Sequence, residues 1–305
     1  MSKKDKKNFD FNRIKPASNV AFNIILAIGA LMCIIPVIFI LMISITSDHA
    51  IAHYGYQIWP KEFSLDAYKF LWREKSMIFH SLYISVLVTV VGVVLGVALT
   101  TMMGYVMSRP TYKLKKFMMW VVFIPMIFNG GMFASYVVNT KLLMFKNSIW
   151  ALILPLLISS FNIVIAKTFF RTTIPDALVE SAKVDGASQL RIFLQIVLPI
   201  STPLLATLGI FLAFGYWNDW FQSSLYISDK NLVSLQALLD NIMKNIQYLA
   251  NNPSAGASLA QYRAQMPQES VRMAIAMVIV IPIAAVYPFF QKYFIKGLTV
   301  GAVKG

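Results

Sequence analysis

Six long stretches of the chain carry no charge. No Asp, Glu, Lys or Arg occurs over 16–47, 76–108, 117–140, 147–166, 192–218 or 273–291. Each stretch is dominated by aliphatic and aromatic residues. A helix rising about 1.5 Å per residue needs roughly 20 of them to cross about 30 Å of hydrocarbon. The pattern therefore predicts six spans, at about 20–45, 78–107, 117–138, 149–170, 200–225 and 271–293. A seventh uncharged run, 245–262, holds Asn251, Asn252, Pro253, Ser254 and Gly256 and reads as an exposed loop. The first apolar run is too long for a cleaved leader, and no small-residue cleavage site follows it, so it is kept as a span.

The connecting segments have patterns of their own. Leu65 to Trp72 reads as a short surface helix capped by Ser64, with aromatics suited to a membrane interface. In the long segment 226–270, Leu232, Leu235, Leu238, Leu239, Ile242 and Ile246 recur at helical spacing and predict an amphipathic helix. Asn129-Gly130-Gly131 interrupts the third span. Two glycines there mean either close helix packing or a bend lining a wet path.

The segment 171–203, RTTIPDALVESAKVDGASQLRIFLQIVLPISTP, is too polar for a span and too patterned for a linker. Thr173 followed by Asp176 resembles a capping box, with Pro175 tolerated in the first turn, so 174–184 is expected to be helical. Asp185-Gly186 breaks that helix, and Asp185 is a candidate cap for the next one. Leu190, Phe193, Leu194, Val197 and Leu198 then make one apolar face, and Pro199 and Pro203 mark the approach to the fifth span. The result is a short helix lying across the membrane surface and joined to a helix that enters the bilayer. A soluble partner could grip such a lever. Ser181, Ala182 and Ala187 are small enough for close approach, and Gly186 supplies backbone freedom at the turn.

Composition narrows the class. With 58% hydrophobic and 13% charged residues, the chain lacks the polar surface of a soluble domain of its length. The net charge of +14 is distributed as a topology signal, so nucleic-acid binding is not expected. If the N-terminus is cytoplasmic, that side receives Lys3, Lys4, Lys6, Lys7, Arg13 and Lys15. It also receives Arg109, Lys113, Lys115 and Lys116, then Lys292, Lys296 and Lys304. Such residues also attract anionic lipid headgroups. The expected architecture is all-α with six membrane-spanning helices and both termini cytoplasmic. It comprises a basic tail (1–19), a transmembrane domain (20–295) and a C-terminal tail (296–305). Cys33 is the only cysteine and allows no disulfide. His49 and His53 lie four apart, but no third strong ligand is nearby, so no metal site is expected. His80, near the start of the second span, reads as an interface residue. No glycine-rich phosphate loop appears, and no catalytic cluster argues for an enzyme.

Glu180-Ser181-Ala182, Asp185-Gly186-Ala187, Phe193, Ile196, Leu198-Pro199 and Pro203 together resemble the EAA motif of binding-protein-dependent ABC importer permeases. Ser181 replaces the usual first alanine, small for small. Phe128 to Gly131, Pro267 to Ala274, Tyr287 to Phe294 and Lys296 to Gly305 resemble the carbohydrate-uptake permeases. Within them they are most like the MalG-like, LplC- or YtcP-like branch for complex oligosaccharides. The resemblance implies a type I importer permease in the cytoplasmic membrane, with Glu180, Ser181, Ala182, Asp185, Gly186 and Ala187 forming a coupling helix that docks on an ATPase. It also implies a second, homologous permease subunit, two ATPase subunits that carry ATP and magnesium, an extracytoplasmic solute-binding lipoprotein, and a C-terminal tail reaching toward the ATPases. Starting inside, four crossings place 171–199 in the cytoplasm, which agrees with that role.

For the substrate path the candidates are Asn129, Tyr136, Asn162, Trp217, Asn218 and Asp219. Aromatics stack on sugar rings, and Asn and Asp accept from hydroxyls. The run Tyr216 to Phe221 reads equally as an interfacial belt. Asp219 is costly against lipid and should face protein or a cavity. The 226–270 segment either meets the binding protein at the entrance or packs as a lid on its own subunit. A secondary transporter is the main rival, but no internal repeat and no mid-membrane proton relay is evident. An exporter would commonly carry its ATPase in the same chain. A permease for a non-sugar solute is the remaining alternative.

Overall fold

In a computed structural model the described residues are 16–251 and 269–302. The expected basic tail before residue 16, the loop 252–268 and Lys304 lie outside them. Contacts divide the chain into two compact units. One comprises residues up to Phe70 with Met266–Met277, and the other comprises Leu71–Gln265 with Val278–Gly305.

In the first unit, helix α1 (Pro16–Ser44) contains Pro36, and its apolar side chains from Val20 to Ile38 are exposed. It turns into α2 (Asp48–Tyr54), whose N-cap Ser47 accepts a hydrogen bond from the Ala50 amide at 3.1 Å. Ser47 also donates to Glu62 at 2.7 Å, and a lone antiparallel bridge joins Thr46 to Phe63. His49 and His53 stack at 6.4 Å in α2, and His49 Nδ1 lies 3.6 Å from the Glu62 carboxylate. The Ser64 hydroxyl accepts from the Asp66 amide at 3.0 Å and starts α3 (Asp66–Arg73), as expected. Lys69 and then Ser64 hold the Asp66 carboxyl below its usual range by hydrogen bonding. The last helix, α15 (Glu269–Ala302), begins in this unit. Its Ser270 amide donates to Asp48 at 2.9 Å, and Glu269 accepts from Tyr56 and Arg272, each at 2.8 Å. Donation to Glu269 stabilises the neutral phenol and raises the Tyr56 pKa.

The second unit is organised by α4 (Lys75–Ser108). Gly92, Gly96, Thr100 and Gly104 recur every fourth residue and are all buried. That spacing makes one small-residue stripe along which neighbouring backbones can approach. A Cβ on Gly104 would lie 2.6 Å from Ala166 Cβ and 2.9 Å from the Lys167 amide nitrogen, so α8 (Ser160–Thr173) requires glycine there. At the other end, a Cβ on Gly92 would fall 2.3 Å from the Tyr216 ring of α12 (Thr202–Trp217).

The third expected span is broken. After α5 (Lys115–Ile127) the chain leaves the helix at Phe128, and α6 (Gly131–Val137) restarts at Gly131, where φ is +79°. Asn129 Oδ1 accepts from the Gly131 amide at 2.8 Å. No atom lies within 4 Å of a Cβ placed on Gly131, so the glycine pair makes a bend and not a close helix contact. The fourth expected span is bent as well, and the fifth is entered through a sharp turn. Residues 149–156, containing α7 (Trp150–Ile153), meet α8 at 51°, and residues 189–200 meet α12 at 83°.

Among the described residues, three helices are long and apolar enough to cross a membrane, or up to five if each bent pair is one span. The isolated bridge aside, no strand occurs among the described residues. The expected C-terminal tail is helical as far as Ala302.

Candidate functional site

Between α8 and α12 the chain builds a short projecting helix. The α8 helix ends at Thr173, and the Ile174 amide closes on the Phe170 carbonyl at 3.2 Å. Pro175, in extended conformation, precedes α9 (Asp176–Val184) without any side-chain cap. The expected capping box is therefore corrected: Thr173 belongs to the preceding helix, and the Asp176 carboxylate is taken by Arg109.

One face of α9 is buried. Val179 and Ala182 join Tyr105, Ala166, Phe170, Phe193, Val197 and Leu208 in a single apolar cluster, against which Ala187 also packs. Ala182 thus packs against its own chain and is 7% exposed. Glu180, Ser181, Asp185 and Gly186 are exposed, and Val184 is 87% exposed. The helix stops in a Schellman arrangement: the Ala187 amide bonds the Ala182 carbonyl and the Gly186 amide bonds the Lys183 carbonyl, both at 3.0 Å. Gly186 has φ +80°, the left-handed conformation such a stop requires.

Asp185 closes α9 and does not cap the next helix. Ser188 does that, accepting from the Arg191 amide at 3.3 Å to begin α10 (Gln189–Ile192). A π-helical turn at Phe193–Val197 then shifts the register before α11 (Leu198–Ile200). It brings Ile192, Phe193 and Val197 inward together while leaving Leu190 61% and Leu194 47% exposed, so the expected single apolar face is split.

Arg109, expected only as one of several topology charges, anchors this segment. Its side chain is 10% exposed. It reaches Asp176 Oδ1 at 3.0 Å, the Phe170 carbonyl at 3.1 Å and the Ile174 carbonyl at 3.5 Å, while its Nε donates to Ser108 at 3.1 Å. The guanidinium also lies 5.1 Å from the Tyr105 ring centre. One cation thus satisfies carbonyls at the end of α8 and places an acidic side chain in the first turn of α9, where the helix dipole favours it.

The candidates for a substrate path do not converge on one lining. Tyr136 stacks parallel on Tyr226 at 5.9 Å, and Asn162 is buried within α8. Tyr216 is buried and donates to the Ile153 carbonyl at 2.7 Å. Trp217 donates to the Ile279 carbonyl of α15 at 3.3 Å, and Asn218 donates back to Phe214 at 3.0 Å. The Asp219 carboxylate accepts from the Gln222 amide at 3.3 Å and so holds the first turn of α13 (Phe221–Tyr226). Trp217 also borders a cavity of about 520 Å³ lined by Val86, Val90, Phe214, Pro282 and Ile283. Among the described lining residues Thr89 alone bears a hydroxyl, and the rest of the lining is aliphatic or aromatic. The amphipathic helix expected in 226–270 is present as α14 (Leu235–Asn251), with Leu235, Leu238, Leu239 and Ile246 buried. Its start is tied to α4 by the Leu235 amide donating to Ser85 at 2.8 Å, and the nearby Asn231 carbonyl meets His80 at 2.8 Å.

Residues 92–300 match the family model described as Binding-protein-dependent transport system inner membrane component. The chain is 37% identical over 276 residues to the polygalacturonan/rhamnogalacturonan transport system permease protein YtcP of Bacillus subtilis (strain 168), covering 90% of this chain and 94% of the relative. It is 35% identical over 298 residues to Protein LplC of the same organism, covering 98% and 97%. Among solved structures it is similar to a bacterial ABC transporter involved in the import of the acidic polysaccharide alginate. The TM-score is 0.77 at 25% identity, with 93% of this chain and 100% of that chain covered.

Proposed function

Because the chain belongs to the family of binding-protein-dependent transport system inner membrane components, we propose that it is one of two permease subunits of an ATP-driven importer for an oligosaccharide or glycan fragment. It is a multi-pass membrane protein. On this reading α1, α4, the broken α5–α6 segment, the bent α7–α8 pair, α12 and α15 each make one of six crossings. The basic N-terminal tail places the first of them inside-to-outside, so α9 lies on the cytoplasmic face.

The observation that carries this reading is α9 itself. It is a short helix held by a buried face and a buried arginine, with Glu180, Ser181, Val184 and Asp185 exposed. That surface fits a soluble motor that needs both a basic contact for Glu180 and a small apolar pocket for Val184. On this reading ATP and magnesium belong to the two motor subunits, and this chain is the transport subunit they drive. When the motor closes on ATP it draws α9 and its counterpart on the sister permease together. The pair opens outward and receives sugar from the binding protein, and hydrolysis restores the inward-facing state. Coupling loop 171–199 transmits the motion to the bent fourth span and to the fifth.

Two similar proteins are described by acidic polysaccharides, a polygalacturonan/rhamnogalacturonan system and an alginate importer. The test is uptake by the reconstituted complex of this chain, its sister permease, two ATPases and the binding protein. ATP-dependent import of labelled galacturonic-acid or alginate oligomers is expected, with import of a labelled amino acid at background. Import of the amino acid, or of nothing in the presence of ATP, would refute the assignment.

A further inference from the structure

We propose that Arg109 is a positioning residue that converts movement of α9 into movement of α4 and α8 as one body. The proposal rests on the importer reading above. Arg109 stands at the junction of three elements. Its backbone follows the last residue of α4, two of its contacts are carbonyls at the end of α8, and its third partner is Asp176, the first residue of α9. The buried guanidinium and the 57% exposed carboxylate meet at 3.0 Å, so the pair bridges core and surface. Tyr105, under the cation, belongs to the same apolar cluster as Val179 and Ala182 of α9.

A force applied to the exposed face of α9 therefore has two routes into the spans. Apolar contacts can slide. The planar guanidinium fork, with donors fixed on Ser108, Asp176, Phe170 and Ile174, cannot follow Asp176 without carrying the ends of α4 and α8 along. Lysine at the same position keeps the positive charge that sets topology but is a point donor and loses the fork. Arg109→Lys therefore separates geometry from charge.

The experiment measures sugar imported per ATP hydrolysed by the full complex in liposomes, with labelled galacturonic-acid oligomers as the probe. Arg109→Lys and Asp176→Asn are expected to assemble with the ATPase and to hydrolyse ATP. Import per ATP should fall about tenfold for the first and about threefold for the second. The double variant should be no worse than Arg109→Lys alone, because both changes break one contact. A purely structural role predicts less complex but an unchanged ratio. An unchanged ratio in both variants, or in Asp176→Asn alone if Arg109→Lys does not assemble, would overturn the proposal. A wild-type complex that hydrolyses ATP and imports no oligomer would show, before any variant is made, that the underlying importer reading has failed.

Discussion

Gly186→Leu is expected to reduce uptake to less than about a tenth of wild type while the chain remains in the membrane at its normal level. Gly186 has φ +80°, and a left-handed backbone costs an L-residue about 1–2 kcal/mol. No atom lies within 4 Å of a Cβ placed there, so leucine meets no wall in its own chain. The cost is in the backbone and in the shape offered outward. Relief of that strain turns the chain out of the Schellman stop and re-aims α10, so α9 no longer presents Glu180 and Val184 in register. Gly186→Asn is the control, since asparagine visits the left-handed region readily, and it should keep most uptake. Uptake assays beside immunodetection of membrane protein decide the matter. Wild-type import by Gly186→Leu would contradict the proposed turn geometry.

The second large effect is expected from Glu180→Lys. Glu180 is exposed at the middle of α9, beyond the reach of either helix end's partial charge, and lysine is about as good a helix former as glutamate. The substitution should therefore not weaken the helix. Any loss must come from what the side chain meets. If that is a basic residue on the motor, bringing like charges together costs several kcal/mol, and each 1.4 kcal/mol is about tenfold. Uptake is expected to fall by more than about tenfold, and the ATPase should be lost from the purified complex. Retention of the ATPase in full yield would remove Glu180 from the interface.

Much of this architecture is legible in the residues. The uncharged runs find α1, α4 and α15 because an apolar run long enough to cross hydrocarbon satisfies its own backbone there as a helix. Gly186 is found because the Asp-Gly pair follows a helical pattern, and α14 because its leucines keep a strict period. Other features depend on partners far away in the chain. Asp176 resembles a cap locally, yet Arg109, 67 positions earlier, takes its carboxylate. Ala182 is small, which fits a partner surface as well as a core, and only packing shows that it faces inward. The π-helical turn at Phe193–Val197 moves every following side chain off the period that a helical wheel assumes. The stripe Gly92, Gly96, Thr100, Gly104 was not among the expectations, although small residues at every fourth position are the signal for the face where α8 and α12 pack.

The residues expected along the substrate path have hydrogen-bond partners within the fold. Trp217 and Asp219 are the kinds of residue that meet sugars, but their polar atoms bond to Ile279 and Gln222 within the fold. Asn129 likewise closes its own turn on Gly131. Side-chain type signals a capacity for hydrogen bonding, and the fold decides where it is used.

The most direct test uses Val184, 87% exposed at the tip of α9. A Val184→Cys chain in which Cys33, the only native cysteine, is replaced by serine carries a single thiol. A membrane-impermeant maleimide should modify it in inside-out vesicles and not in intact cells, and a short bifunctional crosslinker should join it to the ATPase subunit of the assembled importer. Modification from outside intact cells, or crosslinked products that never contain a nucleotide-binding subunit, would contradict the account.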